Sequence, residues 1–427
     1  MNLIFFALIL IAFAIAGYRE IVWQPGGPDA QSPMEVLSLA VVDSAGGAIT
    51  LAIGLIGVMA LFLGLMKVAE EGGLLVIIAR TVRPLMVRLF PDVPAEHPAM
   101  GAMILNISAN VLGLGNAATP FGIRAMQELD KLNAQKGTAT NAMALFLAIN
   151  TSSVTLLPTG IIALRASAGS ADPAGILPST LFATICSTTV AIIAAKLYQR
   201  FSQVPTGPAE PAGDDDGGAG ARHAEAGQAY PTWVSVLVLL TIAAIVPLTI
   251  LYGTAISPWI IPGLIVALLG FGVARKVRVY EVFVEGAKDG FQVALRIIPY
   301  LVAILVAVGM FRGSGAMELV IVPLGAVTGL FGLPPEALTM ALLRPLSGSG
   351  AYGLVASIIQ DPAIGPDSYT GYLVSTLQGS TETTFYVLAV YFGAVQIRRV
   401  RHALAAGLTA DLAGVVAAVV ICSVLFA

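Results

Sequence analysis

The sequence predicts an all-α polytopic membrane protein with two related halves. Hydrophobic residues make up 57% of the 427 positions and charged residues only 11%, an excess of apolar side chains that no water-facing surface could accommodate. Apolar runs of about 20 residues, the length that a helix needs to cross a bilayer, recur along the chain. These runs are Ala45–Met66, Ile176–Leu197, Trp233–Tyr252, Ile260–Ala274, Phe291–Met310 and Leu404–Ala427. Such runs favour helices over barrel strands, because backbone groups in lipid must be paired within their own segment.

The first apolar run, Leu3–Ala16, has two interpretations. It ends in Ala-Ile-Ala before Gly17, as a secretory signal peptide would, but its amino end lacks the usual Lys or Arg. We therefore expect a retained first helix.

One polar stretch divides the chain. Ser202–Pro231 contains Pro-Thr-Gly-Pro and Asp-Asp-Asp-Gly-Gly and has almost nothing to bury, which is typical of a solvated linker. We expect a first membrane repeat at residues 1–201, a flexible cytoplasmic linker at residues 202–231, and an extra helix followed by a second membrane repeat at residues 232–427.

The two halves share short matches in the same order. With an offset of 240 positions, five residues of the first half fall on identical residues of the second. These pairs are Pro94 with Pro334, Glu96 with Glu336, Met100 with Met340, Gly113 with Gly353, and Leu114 with Leu354. With a slightly different offset, Thr151-Ser-Ser-Val-Thr155 falls on Ser380-Thr-Glu-Thr-Thr384. Their order favours two copies of one unit over chance.

Basic residues predict the topology, because cytoplasmic loops hold Lys and Arg in excess. In the first half they follow the second apolar run or flank later ones: Lys67, Arg80, Arg83, Arg88, Arg124, Lys131, Lys136, Lys196 and Arg200. In the second half they lie in the opposite set of loops: Arg275, Lys276, Arg278, Lys288, Arg398, Arg399 and Arg401. Two copies inserted in opposite orientations would show this pattern, and the run Trp233–Tyr252, without counterpart in the first half, would supply the odd crossing. We therefore predict inverted-topology repeats, about nine crossings and a cytoplasmic amino terminus.

Each half contains two interrupted segments. Pro98–Pro120 and Pro335–Ile358 are predicted re-entrant helical hairpins, the first entering from the cytoplasm and the second from outside. Thr140–Leu164 and Tyr369–Val395 are predicted broken transmembrane helices. Interrupted helices free backbone N–H and C=O groups to line a polar cavity, so we expect a solute site near the midplane between the repeats.

The interruptions are rich in neutral polar side chains, as in Asn150-Thr-Ser-Ser153. Amides and hydroxyls provide hydrogen-bond donors and acceptors without the desolvation cost of a full charge. Their oxygens can also replace the water around sodium. The alternative is that these hydroxyls bond back to the preceding turn or serve as small packing residues.

Two charged residues lie in the same segments, Arg344 in the second hairpin and Glu382 in the second broken helix. A charge within a membrane is costly and is usually paired or functional. Glu382 could bind a cation, carry a proton or accept hydrogen bonds from a solute, and Arg344 could bind an anionic group. Alternatively, the two form a structural ion pair. Glu70 and Glu71, at a predicted helix end, are expected to be solvated interface residues.

An enzyme or a binding protein for nucleic acid fits the sequence less well. Ser349, between two glycines, resembles a serine nucleophile, but neither His223 in the linker nor His402 beside an Arg cluster is placed as its base. There is no His-Glu-x-x-His zinc pattern, and Cys186 and Cys422 lie singly in apolar runs. The basic residues lie in short clusters between apolar runs, and the net charge is −3. We therefore expect no catalysis, no metal, no cofactor and no nucleic-acid partner.

The longest motifs resemble a known family. The first half, through Pro94-Ala-Glu-His-Pro98, Asn106-Ile-Ser-Ala-Asn110 with the following Val-Leu-Gly-Leu-Gly-Asn, and Asn150-Thr-Ser-Ser-Val154, resembles spore maturation protein A. The second half, through Leu346-Ser-Gly-Ser-Gly-Ala351 and Gly379-Ser-Thr-Glu-Thr-Thr-Phe385, is similar to spore maturation protein B. The chain thus resembles a fusion of the two within the nucleoside recognition, or gate, domain family, to which concentrative nucleoside transporters also belong.

This resemblance implies solute and sodium contacts at two re-entrant hairpins and two broken helices. The candidate contacts are Asn106, Asn110, Asn150, Thr151, Ser153, Ser347, Ser349, Ser380, Glu382 and Thr383. Arg344 is a further candidate because of its charge within the membrane. The Gln-Thr-Glu hairpin signature of the nucleoside carriers is absent from the first hairpin, so the resemblance does not make nucleoside the substrate.

The expected function is secondary transport of a small polar solute across the bacterial plasma membrane, with sodium or proton coupling as an option. The alternative is a non-transporting membrane scaffold or regulator of envelope or spore maturation, which could lose these residues without effect. The expected partners are the lipid bilayer and the solute, with a homo-oligomer left open.

Overall fold

The computed structural model describes residues 2–24, 31–113, 115–202 and 231–426. Within these ranges the regular secondary structure is helical, which confirms the predicted class. The expected linker lies outside the described residues except for its two ends, Ser202 and Pro231.

The described part of the first half forms eight helices. They are α1 (Asn2–Val22), α2 (Pro33–Glu71), α3 (Leu74–Leu89), α4 (Pro98–Val111), α5 (Gly115–Lys131), α6 (Asn141–Thr151), α7 (Thr159–Ser167) and α8 (Leu177–Tyr198). Capping side chains determine where several of these helices begin. Ser32 and Glu35 form a capping box at the start of α2, and the Thr140 side chain accepts from Met143 N at the start of α6.

The second half repeats this order of helices. They are α9 (Thr232–Ala274), α10 (Val279–Gly313), α11 (Ala316–Thr328), α12 (Pro335–Leu343), α13 (Gly348–Gln360), α14 (Tyr369–Ser380), α15 (Thr384–Gly393) and α16 (Ala403–Leu425). A 3₁₀ turn, Gly329–Phe331, follows α11. In each half, two long helices and a shorter one precede a helical hairpin, a broken helix and a final long helix.

One difference from the sequence expectation concerns α9. The runs Trp233–Tyr252 and Ile260–Ala274, expected as separate crossings, lie in this single helix of 43 residues. The residues between the runs include Gly253 and Pro258 but no polar loop, and neither residue ends the helix. In the order of elements α9 is the counterpart of α1, so the extra run is not an added element, and the count of nine crossings stays a prediction.

Apolar helices in the described residues have the length of membrane spans. Three helical segments are long and apolar enough to cross a membrane: Phe5–Val22 with a mean hydropathy of 2.0, Leu177–Tyr198 with 1.7 and Ala403–Leu425 with 2.3. A bent pair, Pro323–Phe331 with Pro335–Leu343, adds a fourth when counted as one span. The protein is therefore a membrane protein.

Equivalent long helices of the two halves pack against each other in opposite directions. Near one end of the α2–α10 pair, a Cβ atom added at Gly64 would lie 2.8 Å from Phe283. Near the other end, the Cβ of a residue replacing Gly309 would approach Ser44 Oγ. Residue numbers therefore rise along α2 as they fall along α10, and glycines bring the two helices close together.

The two larger of three hydrophobic cores among the described residues each combine both halves of the chain. One core packs the hairpin α4–α5 with α6 and with α15 of the other half. The other packs the hairpin α12–α13 with α14 and with α7. Each broken helix therefore contributes its first part to the core of its own half and its second part to the other core.

Candidate functional site

A cavity of about 1150 Å³ lies between the two hairpins at the breaks of the broken helices. Three backbone hydrogen bonds fix this arrangement. Leu156 N in the first break donates to Val111 O at the tip of the first hairpin at 2.9 Å, and Phe385 N donates to Pro345 O at the tip of the second at 3.1 Å. Glu382 N donates to Thr151 O at 2.9 Å and joins the two breaks.

The first wall of the cavity is a network of neutral amides. Asn110 Nδ2 donates to Asn150 Oδ1 at 2.9 Å, and Tyr391 OH of the second half donates to the same oxygen at 3.3 Å. Asn106 lies behind them and donates to Tyr391 OH at 3.1 Å and to Ala118 O at 2.8 Å. Asn110, Asn150 and Tyr391 line the cavity, so this network presents uncharged donors and acceptors to it.

The second wall holds the charged pair. Arg344 is 6% exposed, and its guanidinium donates to Thr383 Oγ1 at 3.0 Å and to Thr381 O in the second break. Its Nη2 lies 3.6 Å from Glu382 Oε2, while the Glu382 side chain keeps 49% of its surface exposed. Arg344 thus holds the break together, and Glu382 offers its carboxylate to the cavity.

The eleven residues singled out from the sequence fall into two groups. Seven line the cavity: Asn110, Asn150, Arg344, Ser347, Ser349, Glu382 and Thr383. Four are buried behind it: Asn106, Thr151, Ser153 and Ser380. Thr151 and Ser380 bond back to carbonyls of their own helices, as the packing interpretation expects. Ser347 also caps α13 by accepting from Gly350 N at 3.0 Å.

Further charged residues line the cavity. Lys67 and Glu70 of α2 form a pair at 3.5 Å, and Asp289 of α10 lies in the same lining. Glu70 lies at the end of α2, as expected, with 37% of its side chain exposed, and it also lines the cavity. The cavity therefore holds two cationic and three anionic side chains when Arg344 and Glu382 are included.

Two buried charged residues went unnoticed in the sequence. Arg165 at the end of α7 has no exposed surface, and its guanidinium donates to Pro366 O at 2.6 Å and to Asp367 Oδ1 at 2.9 Å. It also lies over the Tyr372 ring at 4.1 Å. Asp411 of α16 is 6% exposed and accepts from Thr384 Oγ1 at 2.6 Å. A single Arg or Asp inside an apolar run was the signal that would have found them.

The described histidines lie away from the cavity. His97 caps α4 by accepting from Ala99 N at 3.1 Å. His402 precedes α16, where burial and the neighbouring Arg401 lower its pKa to about 4. Neither belongs to the lining that contains Ser349.

Curated proteins with related sequences come from bacteria. Spore maturation protein B of Bacillus subtilis (strain 168) is 48% identical over 166 residues, which cover 39% of this chain and 92% of that protein. Spore maturation protein A of the same organism is 47% identical over 159 residues, which cover 37% of this chain and 81% of that protein. Inner membrane protein YjiG of Escherichia coli (strain K12) is 32% identical over 101 residues, which cover 23% of this chain and 63% of that protein.

Among solved structures, CNTnw in an inward-facing substrate-bound state matches with a TM-score of 0.46 and 14% identity, covering 99% of this chain and 90% of that chain. The family model described as "Gate: Nucleoside recognition" matches residues 52–168 and 294–398, just over half of the sequence. Each matched region contains one hairpin and one broken helix. The chain therefore belongs to the gate family of nucleoside recognition domains, as its motifs indicated.

Proposed function

We propose that this protein is a multi-pass secondary transporter of the plasma membrane that carries a small polar solute through the cavity between its two hairpins. The observation that carries this proposal is the meeting of four interrupted segments at one cavity lined by neutral amides and a half-exposed carboxylate. A passive scaffold has no need for a charged cavity among its membrane helices, since placing charge there is costly.

The two cores suggest how the solute site could open to one side of the membrane and then to the other. Each hairpin moves with its own core, because it packs there against one part of each broken helix. The broken helices join the two cores through unwound segments, where few regular hydrogen bonds resist rotation, whereas the continuous helices α8 and α16 contribute to both cores. We propose that the repeats have opposite orientations in the membrane, a view supported by the antiparallel packing of α2 with α10. Rocking of one core against the other would then expose the site to each side in turn.

The charges of the lining favour a neutral or cationic solute. Arg344 is committed to Thr381 and Thr383, whereas Glu382 is half-exposed. Glu70 and Asp289 add two carboxylates against Lys67. A solute with amino or hydroxyl donors would therefore bind at Glu382 and find complementary acceptors and donors at Asn150 and Asn110.

The test begins with binding to the purified protein. A panel of amino acids, polyamines, sugars and nucleosides would be screened for thermal stabilisation, since a ligand that binds only the folded state raises the unfolding temperature. Uptake of each stabilising compound would then be measured in proteoliposomes. We expect Glu382→Gln to lower uptake about tenfold or more, because a hydrogen bond to a charged group is worth roughly 1.5–3 kcal/mol, and Asn150→Ala to lower it less.

Glu96→Gln is the matched control, because the Glu96 side chain is 89% exposed and remote from the cavity. It should leave uptake unchanged. Full uptake by both Glu382→Gln and Asn150→Ala would overturn the assigned site. Absence of stabilisation and of uptake across the whole panel would favour the scaffold alternative.

A further inference from the structure

We infer that Asp411 in α16 binds and releases a proton, and that Arg344 links this proton site to the solute cavity. Asp411 is 6% exposed. Its Oδ2 accepts a hydrogen bond from Thr384, while its Oδ1 is buried without a hydrogen-bond partner among the described residues. A carboxylate left with one bare oxygen inside a membrane is costly, and protonation removes that charge.

The packing around Asp411 suits a proton better than a larger cation. Gly407 and Gly414 lie one turn before and one turn after Asp411, on the same face of α16. A Cβ atom added at Gly414 would lie 2.7 Å from Thr381 Cγ2 and 3.4 Å from Ser187 Oγ, so neighbouring segments lie directly against this face. Asp411 does not line the cavity. A hard metal cation would need space for about six or more oxygen ligands, whereas a proton needs none.

Arg344 and Asp411 contact the same break. Arg344 donates to Thr381 O and Thr383 Oγ1, while Thr384 donates to Asp411 and Thr381 Cγ2 packs against α16 at Gly414. The helices packed on this face of α16 contribute neutral hydroxyls: Ser187 from α8, Thr151 from α6, Thr381 from the second break and Thr384 from α15. Several titratable groups of the elements packed on α16 have other hydrogen-bond partners: Lys196 of α8 donates to Leu89 O, and Tyr198 of α8 shares a hydrogen bond with Thr409. Cys186 of α8 and Tyr386 of α15 are further titratable groups of these elements. Tyr391 bonds to Asn106 and Asn150, and Cys422 bonds to Thr376.

A single guanidinium therefore lies between two acidic groups: it is 3.6 Å from Glu382 in the cavity, and it shares the second break with Asp411 behind the cavity. When a cationic solute group binds Glu382, it weakens the hold of Glu382 on Arg344. Arg344 then stabilises the Asp411 carboxylate, the O–H bond at Asp411 breaks, and the proton leaves to water. When the solute departs, the reverse step forms the O–H bond again. One solute charge is exchanged for one proton, and this linkage, unlike the proton site itself, rests on the proposed function.

Infrared spectroscopy can observe this proton without any transport assay. Protein purified in detergent would be titrated while the C=O stretching band of protonated carboxyl groups is recorded. We expect a band from a shielded carboxylic acid that is absent in Asp411→Asn and retained in the matched control Asp92→Asn, since Asp92 is exposed. In Arg344→Gln the band should persist to higher pH by about one unit or more, because removing a nearby positive charge favours the neutral acid.

A titrating band unchanged in Asp411→Asn would overturn the inference, as would the absence of any such band. Should the Asn variant fail to fold, wild-type protein in lipid would be treated with a hydrophobic carbodiimide, which reacts with protonated buried carboxyls, and mass spectrometry would locate the adduct. Adduct at Asp411 that declines as the pH rises supports the proton site, and no adduct there contradicts it.

The two proposals fail in different ways. Solute uptake without protonation of Asp411 would contradict the proton site alone. Protonation of Asp411 without uptake of any panel compound would contradict the transporter proposal alone.

Discussion

Buried guanidinium groups hold the irregular parts of this protein together. Arg344 donates to a hydroxyl and a carbonyl in the second break, and Arg165 donates to the carbonyl of Pro366 in the loop before α14. Both arginines lie near helix ends and donate to backbone carbonyls that have no hydrogen-bond partner within a helix. The planar fork of an Arg side chain meets several such acceptors at once, which a Lys ammonium does less well.

Replacing Arg165 by Met should destabilise the protein by about 3 kcal/mol, since the change leaves Pro366 O and Asp172 O without their donor and Asp367 without its cation. Thermal unfolding of detergent-purified protein would measure the loss. Lys131→Met is the control, because its pair with Glu128 is exposed and worth about 0–1 kcal/mol. Equal unfolding temperatures for the two variants would contradict a structural role for Arg165.

Removing the hydroxyl of the single residue Tyr391 tests the amide network. Tyr391→Phe takes away one donor to Asn150 Oδ1 and one acceptor of Asn106 while keeping the ring that stacks on Phe146. We expect solute affinity to fall about fivefold, in line with the roughly 1 kcal/mol net worth of one hydrogen bond. Tyr386→Phe is the matched control, since Tyr386 lines the same cavity without belonging to the amide network. A larger loss in Tyr386→Phe than in Tyr391→Phe would contradict the assignment.

At the scale of elements, the hairpin tips depend on close backbone approach. Gly113 has a φ of +76°, and a Cβ atom there would meet Leu157 O in the first break. The left-handed conformation and the lack of space both require glycine at this position. The tip therefore packs directly on the break, with no side chain between the two backbones.

Gly113→Ala should destabilise the protein by about 3 kcal/mol, from a left-handed penalty of roughly 1–2 kcal/mol and overpacking of about 1–3 kcal/mol. Gly101→Ala in the same hairpin is the control, because nothing lies within 4 Å of its added Cβ and alanine favours a helix. Unfolding temperatures would be compared in detergent. A Gly113→Ala protein as stable as Gly101→Ala would show that the tip does not rest on the break.

Much of this element pattern could be predicted from the sequence. Asn150-Thr-Ser-Ser153 with Pro158 predicted the first break, and the structure ends α6 at Thr151 and starts α7 at Thr159. The tip of the first hairpin was expected at Asn106–Asn110 with Gly113, Gly115 and Asn116. In the structure α4 continues through both asparagines to Val111, and Gly113 turns the chain. Periodicity could not reveal which side chains meet in the fold, such as Arg165 with Asp367 or Asp411 with Thr384.

At the scale of the whole molecule, the two larger hydrophobic cores of the described residues each contain one part of both broken helices. The contact of α5 with α15 through Gly122 and Tyr391 has a counterpart between α7 and α13, where Tyr352 OH donates to Gly160 O at 3.0 Å. Paired contacts of this kind arise when two similar units face each other across a two-fold axis. An axis lying in the membrane plane would invert one unit relative to the other.

Labelling of equivalent loops tests this inversion. The loop between α5 and α6 contains the exposed Ala134, and its counterpart between α13 and α14 contains the exposed Ala363. Single cysteines, Ala134→Cys and Ala363→Cys, would be placed in a background with Cys186 and Cys422 replaced by Ala. A membrane-impermeant maleimide added to intact cells should label Ala363→Cys and spare Ala134→Cys, which should react only after the membrane is permeabilised. Labelling of both from the same side would contradict inverted repeats, because equivalent loops of parallel repeats share one face of the membrane.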